Sequence, residues 1–486
     1  MLDQEKEQNT KRKLNDQEEV RRKKLLGLKE LGEDAYSSKD LVPSHSVKEV
    51  TSYPDRYLEQ QLVLGGRVIT VRGPFFVIKE NNSKLQAYID LKEETLKYIH
   101  NYFEKYVDIG DYVCVAGPLF RTHKGTLSIR AQQLKIISKA LKPLPEKWAG
   151  IQSPELAVRN RVGNLLLNEE LFHNLSLRSQ IISELRRYLG ELGYLEFETP
   201  ILHKIPGGAS ARPFKTHHNT LKEDLYLRIA PELYLKRLIV SGWTKVYEIG
   251  KSFRNEGIDN FHNPEFSSIE IYSTYFGLEE TIDLTEKLII NLFEKFLPPE
   301  RKNSLQKFER KPMWELVKEK TGLDFYNNSP SLPIAVKKAV ELGLELTEEE
   351  KQSLARVYEK FFEELISGEL ERPTFVYGFS SECSPLAKED SANNFFAQRF
   401  ELYIGGKEIA NGFSEQNDPF RQEEQFKKQI SSETEFELKL DQDYLSALEY
   451  GLPPTGGVGI GLDRLIMFLL DSKSIKEVIS FPYLKG

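Results

Sequence analysis

Arg254 stands where an extended run meets a turn. In VYEIGKSFRNEGIDNFHNPEFSSIEIY, apolar and polar residues alternate on both sides of Arg-Asn-Glu-Gly, which predicts a hairpin with charges at its loop entrance. A planar guanidinium leaving the first strand can grip a phosphate or a carboxylate bidentately, so this arginine suits a site that bridges a nucleotide and an acid. No serine or cysteine sits at an elbow or beside a base, so no protein nucleophile is indicated. No histidine or cysteine pair has zinc-site spacing.

The elements that must position these groups fall into two styles. From Leu62 to Ser138 the chain reads as short β-rich runs, LVLGGRVITV, PFFVI, KLQAYIDL, YVCVAGPLF and TLSIRA, with one helical interlude at ETLKYIHNYFEKY. About five strands of this kind suit a small OB-type barrel over residues 51–143. Before it, residues 1–50 form a charged helical extension whose leucines Leu25, Leu28 and Leu31 make a thin apolar stripe. It reads either as a solvated face or as a basic arm for RNA phosphates. The two prolines of ALKPLPEKW break any helix and mark a linker at 144–152. Residues 153–486 then form a second domain of α+β class, in which an antiparallel sheet is interrupted by a helical insertion at about 278–370. It closes on a Gly-rich strand-to-helix junction, GGVGIGLDRLIMFLL.

Composition bounds the class. The chain has 486 residues, too many for one typical core, and 40% hydrophobic with 29% charged residues is an ordinary globular balance. A net charge of −7 gives no overall basic character, so a nucleic-acid partner would have to use a local face. The two cysteines, Cys114 and Cys383, read as buried free thiols, not a disulfide framework. No window reaches the ~18 apolar residues of a membrane span, and no signal peptide is visible, so a cytoplasmic location is expected.

Three runs in order carry a resemblance. GYLEFETP ending at Pro200, FRNEG followed by HNPEF, and GVGIGLDR ending at Arg464 are similar to motifs 1, 2 and 3 of class II aminoacyl-tRNA synthetases. IPGGASARPFKTHH and LRIAPELYLKRL look like the lysine-specific members of bacterial type. The resemblance implies ligation of L-lysine to tRNA(Lys): activation with ATP to lysyl-adenylate, transfer to the 3′ end of the tRNA, and release of AMP and pyrophosphate. A lysine pocket needs acidic partners for two ammonium groups, because a buried cation must be paired. Carried over residue by residue, Glu232 and the carbonyl of Gly208 would hold the α-amino group, while Tyr272 and Glu415 would hold the ε-amino group. Glu270 would add negative potential, and Asn411 and Phe413 would shape the wall.

For the nucleotide, the resemblance implies that Arg254 meets the α-carboxylate and α-phosphate, that Phe266 lies under the adenine, and that Arg464 stands near the γ-phosphate. Glu256 and His262 would assist. Glu401 and Glu408 could share Mg²⁺, which prefers hard oxygen ligands. Arg254 and Arg464 would act in catalysis by stabilising charge on the phosphate. In the barrel, Arg72, Phe75, Phe76 and Gln86 are candidates for the single-stranded anticodon, although adjacent strand residues face opposite sides, so one phenylalanine belongs to the core. A homodimer is implied by family.

The chain also departs from that family. Thr126 stands where members usually place a glutamate, the loop before Phe75 is short, and AVRNRVGNLL replaces a tyrosine-containing run while keeping Arg159 and Arg161. A noncatalytic paralogue would lack the motif arginines or the metal glutamates, and neither set is missing. Paralogues that modify protein lysines generally lack the barrel.

Overall fold

The computed structural model describes residues 15–37, 41–144, 154–208, 211–305, 307–432 and 439–484. The expected linker 144–152 and the start of the N-terminal extension lie almost entirely outside them. Two compact units divide at Glu169 and Glu170.

The first unit contains strands β1 (Gln61–Arg72), β2 (Phe75–Glu80), β3 (Ser83–Tyr88), β4 (Tyr112–Arg121), β5 (Leu127–Arg130) and β6 (Gln133–Ser138). They run in the order β1-β2-β3-β5-β4-β6, and β1 also pairs with β4, so the sheet closes into an OB-like barrel. Six strands appear where five were expected because the last one is broken: β5 pairs with Leu119–Arg121 of β4, and β6 with Tyr112–Ala116 on the same side. At the break, Gly117 crosses so near Arg130 that a Cβ there would come within 1.8 Å of the Arg130 carbonyl oxygen.

Alternation decides the two phenylalanines. Phe76 is 1% exposed and stacks against Phe103 in the barrel core, so it cannot meet a base and is withdrawn as an anticodon candidate. Phe75 lies on the other face beside Tyr88, ring centroids 4.8 Å apart. The N-terminal helix runs Asp16–Glu30 behind an Asn15/Glu18 capping box. It is no free arm. Leu28 enters the barrel core, Arg21 donates to the carbonyls of Ile109 and Ala140, and Lys24 pairs with Asp108, while Leu31 of the stripe is exposed.

In the second unit a three-stranded sheet comprises β7 (Leu202–His203), β8 (Lys215–His218) and β9 (Glu223–Leu227), with β9 central. The main sheet has eight strands. At one edge a short strand, Leu195–Glu196, lies parallel to β10 (Lys245–Phe253), followed by β11 (Glu265–Thr274), β16 (Thr455–Gly461), β15 (Lys407–Ser414), β14 (Arg399–Ile404), β13 (Thr374–Tyr377) and β12 (Glu309–Pro312). The inner pairings are antiparallel and only the two outermost are parallel. β12 comes from within the expected helical insertion, which is therefore helices plus one edge strand.

One face of this sheet is sealed by the helices Leu278–Phe296 and Leu462–Leu469 and by Ile181, Leu185 and Leu189 of the helix Glu169–Glu191, over Ile269, Ile271, Val458 and Ile460. Because strand side chains alternate, the intervening residues of β11, β15 and β16 point to the opposite face, where the site lies.

Candidate active site

The site is built as rows across the sheet. Register places Glu270 of β11 beside Gly459 of β16, then Asn411 of β15, then Glu401 of β14. Two residues along, Tyr272, Gly457, Phe413 and Arg399 form a second row. Gly457, Gly459 and Gly461 occupy the positions of β16 that face these rows, so the central strand is a floor without side chains. A Cβ on Gly457 would lie 2.1 Å from Glu415 Oε1 and 2.5 Å from the Tyr272 ring, so only glycine fits there. Above this floor is a cavity of about 520 Å³.

The cavity brings together Gly208, Glu232, Arg254, Glu256, His262, Phe266, Glu270, Tyr272, Glu401, Glu408, Asn411, Phe413, Glu415 and Arg464. These are all the residues that the sequence reading proposed for the amino acid, the nucleotide and the metal.

At one end lies an acidic pocket. Glu232 opens the helix Glu232–Val240, Tyr272 Oη donates to Glu270 Oε2 at 2.9 Å, and Glu232, Glu270 and Glu415 are all buried. Lys236, one turn beyond Glu232, reaches Glu232 Oε1 at 2.5 Å and also pairs with Glu415 Oε2. Glu415 Oε1 has no hydrogen-bond partner. Burial, then the neighbouring Glu232, pushes the Glu270 carboxyl up to about 8. Burial also holds Glu415 well above the usual carboxylate range, with Lys236 opposing it. With its carboxyls ionised, a pocket of three carboxylates and one ammonium is short of positive charge by two.

At the other end lies a cationic, aromatic region. Arg254 follows β10 directly, its guanidinium 5.1 Å from the Phe266 ring centroid and its Nε buried without a partner. Arg464, in the first turn of the helix after β16, donates to His262 Nε2 at 2.9 Å, and His262 Nδ1 meets Asp259 at 2.7 Å. Asp463 anchors that helix: its Oδ2 accepts from the Ser267 amide at 2.8 Å and it pairs with Arg178.

Glu401 and Glu408 come to one face through an irregularity. The β14–β15 register shifts by one residue between Leu402 and Tyr403, so Tyr403 pairs with Glu408 and that glutamate joins the face of Glu401. Glu401 accepts from Tyr403 Oη at 2.6 Å and Arg399 at 2.5 Å; burial raises its pKa, Arg399 opposes this, and Glu408 adds repulsion. Two hard carboxylates that repel each other suit a cation whose other ligands are phosphate oxygens. Among the described residues no group of three His, Cys, Asp or Glu side chains is placed to hold a metal by itself.

Sequence reasoning missed Lys236 and Arg399. The Glu232–Lys236 spacing of one helical turn was a usable signal. Arg399, which joins Asn411 Oδ1 to Glu401, had none. Cys383 lines the cavity and is half-buried, unlike the fully buried thiol expected; burial pushes it up to about 12.

The sheet and the cavity on it have the organisation of a class II synthetase catalytic domain. The pattern of the family tRNA synthetases class II (D, K and N) matches residues 153–485, and the chain belongs to that family. It is similar to the lysine--tRNA ligase of Malacoplasma penetrans (strain HF-2), at 41% identity covering 98% of this chain and 99% of the relative. The lysine--tRNA ligases of Enterococcus faecalis (strain ATCC 700802 / V583) and Carboxydothermus hydrogenoformans (strain ATCC BAA-161 / DSM 6008 / Z-2901) are each 42% identical, covering 97% of this chain and 98% of theirs. No helix among the described residues is long and apolar enough to cross a membrane.

Proposed function

We propose that this protein ligates L-lysine to tRNA(Lys) in two steps. A carboxylate oxygen of lysine attacks the α-phosphorus of ATP, giving lysyl-adenylate and releasing pyrophosphate. A terminal ribose hydroxyl of the tRNA then attacks the activated carbonyl carbon, and AMP leaves. The observation that carries this reading is the acidic pocket: Glu232, Glu270 and Glu415 against the single cation Lys236 call for a ligand with two ammonium groups.

In this reading Glu232 and the Gly208 carbonyl take the α-ammonium, and Glu415 with Tyr272 takes the ε-ammonium. Arg254 bridges the lysine carboxylate and the α-phosphate, where charge develops, and Phe266 supports the adenine. Arg464, steadied by His262, meets the γ-phosphate. Glu401 and Glu408 would hold Mg²⁺, which supplies charge neutralisation at the phosphates. Positioning and electrostatics suffice for adenylate formation, so no nucleophilic side chain is needed. In the barrel, Phe75 offers a stacking face, with Arg72 and Gln86 on neighbouring strands as further anticodon contacts. A homodimer is part of the same proposal.

Pyrophosphate exchange with each of the twenty amino acids tests reaction and substrate together. Exchange that responds to lysine is expected; exchange driven by another amino acid, or by none, would overturn the reading.

A further inference from the structure

Lys236 is fully buried, and its ammonium lies between two carboxylates that line the cavity. It reaches sideways into the acidic pocket, 2.5 Å from Glu232 Oε1, against Glu415 Oε2, and 5.2 Å from the Phe413 ring centroid. Two of these neighbours, Glu232 and Glu415, are given a part in binding lysine by the proposed function, and Phe413 lines the same cavity. The chain has thus put a lysine side chain of its own among the carboxylates that would receive the ligand's.

We propose that Lys236 is a resident counter-cation that sets the specificity of the amino acid pocket. It neutralises one of three carboxylates, so the pocket, once its carboxyls are ionised, is completed by two positive charges, and it orients Glu232 and Glu415 and counters their mutual repulsion while the pocket is empty. The inference rests on the proposed lysine activation and deepens it. Charges out of water must be balanced closely, since an unpaired buried carboxylate takes up a proton instead of remaining charged. Lys236 opposes this at Glu415 and Glu270; without it both would hold their protons more tightly, and a protonated carboxyl is a poor acceptor for an ammonium. With Lys236 against Oε2, Glu415 keeps its second oxygen, Oε1, buried without a hydrogen-bond partner. Burial alone would lower the Lys236 ammonium, but Glu232 and Glu415 outweigh it and keep it charged. Tyr444 and Glu270 also face this group, and Glu270 adds to the negative surplus.

A double-mutant cycle tests the charge balance. Lys236→Met leaves three carboxylates and no cation, and Glu270→Gln leaves two carboxylates with the cation. Each single change should raise the lysine KM in pyrophosphate exchange by about tenfold or more, because each unbalances buried charge. The double variant E270Q/K236M restores the deficit of two and should bind lysine more tightly than either single variant. The KM ratio of Lys236→Met to wild type should shrink as pH rises from about 6.5 to 9, as the extra proton is lost. Lys236→Arg, which keeps the charge, should keep the wild-type pH profile. A role confined to filling space predicts additive losses, a pH-independent ratio and no rescue, and that result overturns the inference. Should Lys236→Met fail to fold, comparing E270Q/K236M with Glu270→Gln carries the same test, since the added substitution must lower the KM. Wild-type protein that shows no lysine-dependent exchange would instead remove the proposed function, and this inference with it.

Discussion

Arg464 donates to His262 Nε2 at 2.9 Å, so the loop after β10 and the helix after β16 are joined at the cationic end of the cavity. Asp259 accepts from Nδ1 on the far side of the ring, which orients the imidazole as an acceptor toward the guanidinium. His262→Ala should loosen Arg464, leaving it only its longer contacts to Glu408. Because the pair is half-exposed, the loss falls below the usual range for a hydrogen bond to a charged group, at about 1 kcal/mol or roughly fivefold. It should fall on the KM for ATP and spare that for lysine; steady-state kinetics with each substrate varied separates the two.

Removing the charge of Glu415 acts at the other end. Glu415→Gln should raise the lysine KM by about 1.5 to 3 kcal/mol, the value of a charge-assisted hydrogen bond, with little change in the KM for ATP. An unaltered lysine KM would show that Glu415 does not meet the ligand. Arg254→Ala should differ in kind, lowering kcat of the adenylation step more than affinity, because charge on the α-phosphate develops mainly in the transition state.

The Glu270 carboxyl, raised to about 8 mainly by burial, gives a pH dependence. Below pH 8 the empty pocket holds a proton that the lysine ammonium must displace, and above it the carboxylate is already ionised. Lysine affinity should therefore strengthen as pH rises toward 8, by at most about tenfold per unit for one linked proton. Calorimetry in buffers of different ionisation enthalpy should record proton release on binding, and Glu270→Gln should reduce that release.

Two glycines of β16 should respond differently to the same methyl group. Alanine at Gly457 would press on Glu415 Oε1 and the Tyr272 ring, displacing both, so lysine activation should be lost. At Gly459 a Cβ would lie 3.7 Å from Glu270 Cγ, an ordinary contact, so the fold should hold and only part of the lysine affinity should go. Thermal unfolding and lysine-dependent exchange on the two variants check the ordering.

Arg228 and Glu248 form a buried pair at 2.6 Å beneath β10, reinforced by Thr199. Glu248→Ala should cost about 3 to 5 kcal/mol, since it strands a buried guanidinium. A urea midpoint close to that of the wild type would contradict this.

Much of the site was legible because its residues sit in runs with strong local patterns. FRNEG lies between two alternating strands, and GVGIGLDR joins an alternating run to a helical one, so Arg254 and Arg464 could be placed at element ends. Phe75 and Phe76 could be read only as a pair with opposite fates. The barrel core, through Phe103, decided which was which. The spacing from Glu232 hinted at Lys236, but a lysine in a helix is ordinarily solvated, and the spacing does not say that this helix packs against the acidic pocket. Arg399 was hidden for a related reason, since its partners Asn411 and Ser384 come from other segments.

By itself the sequence determined which faces exist. Gly457, Gly459 and Gly461 alternate with Val458 and Ile460, and the two-residue period of a strand sends the glycines to one side and the apolar residues to the other, whatever surrounds them. Tertiary structure alone decided what stands beside that floor. Hydrogen-bond register aligned Glu270, Asn411 and Glu401 across four strands, and the one-residue shift between β14 and β15 brought Glu408 onto their face. Regular alternation would have turned Glu408 away. Register is settled by the packing of whole strands against one another, so no spacing within a single strand encodes it.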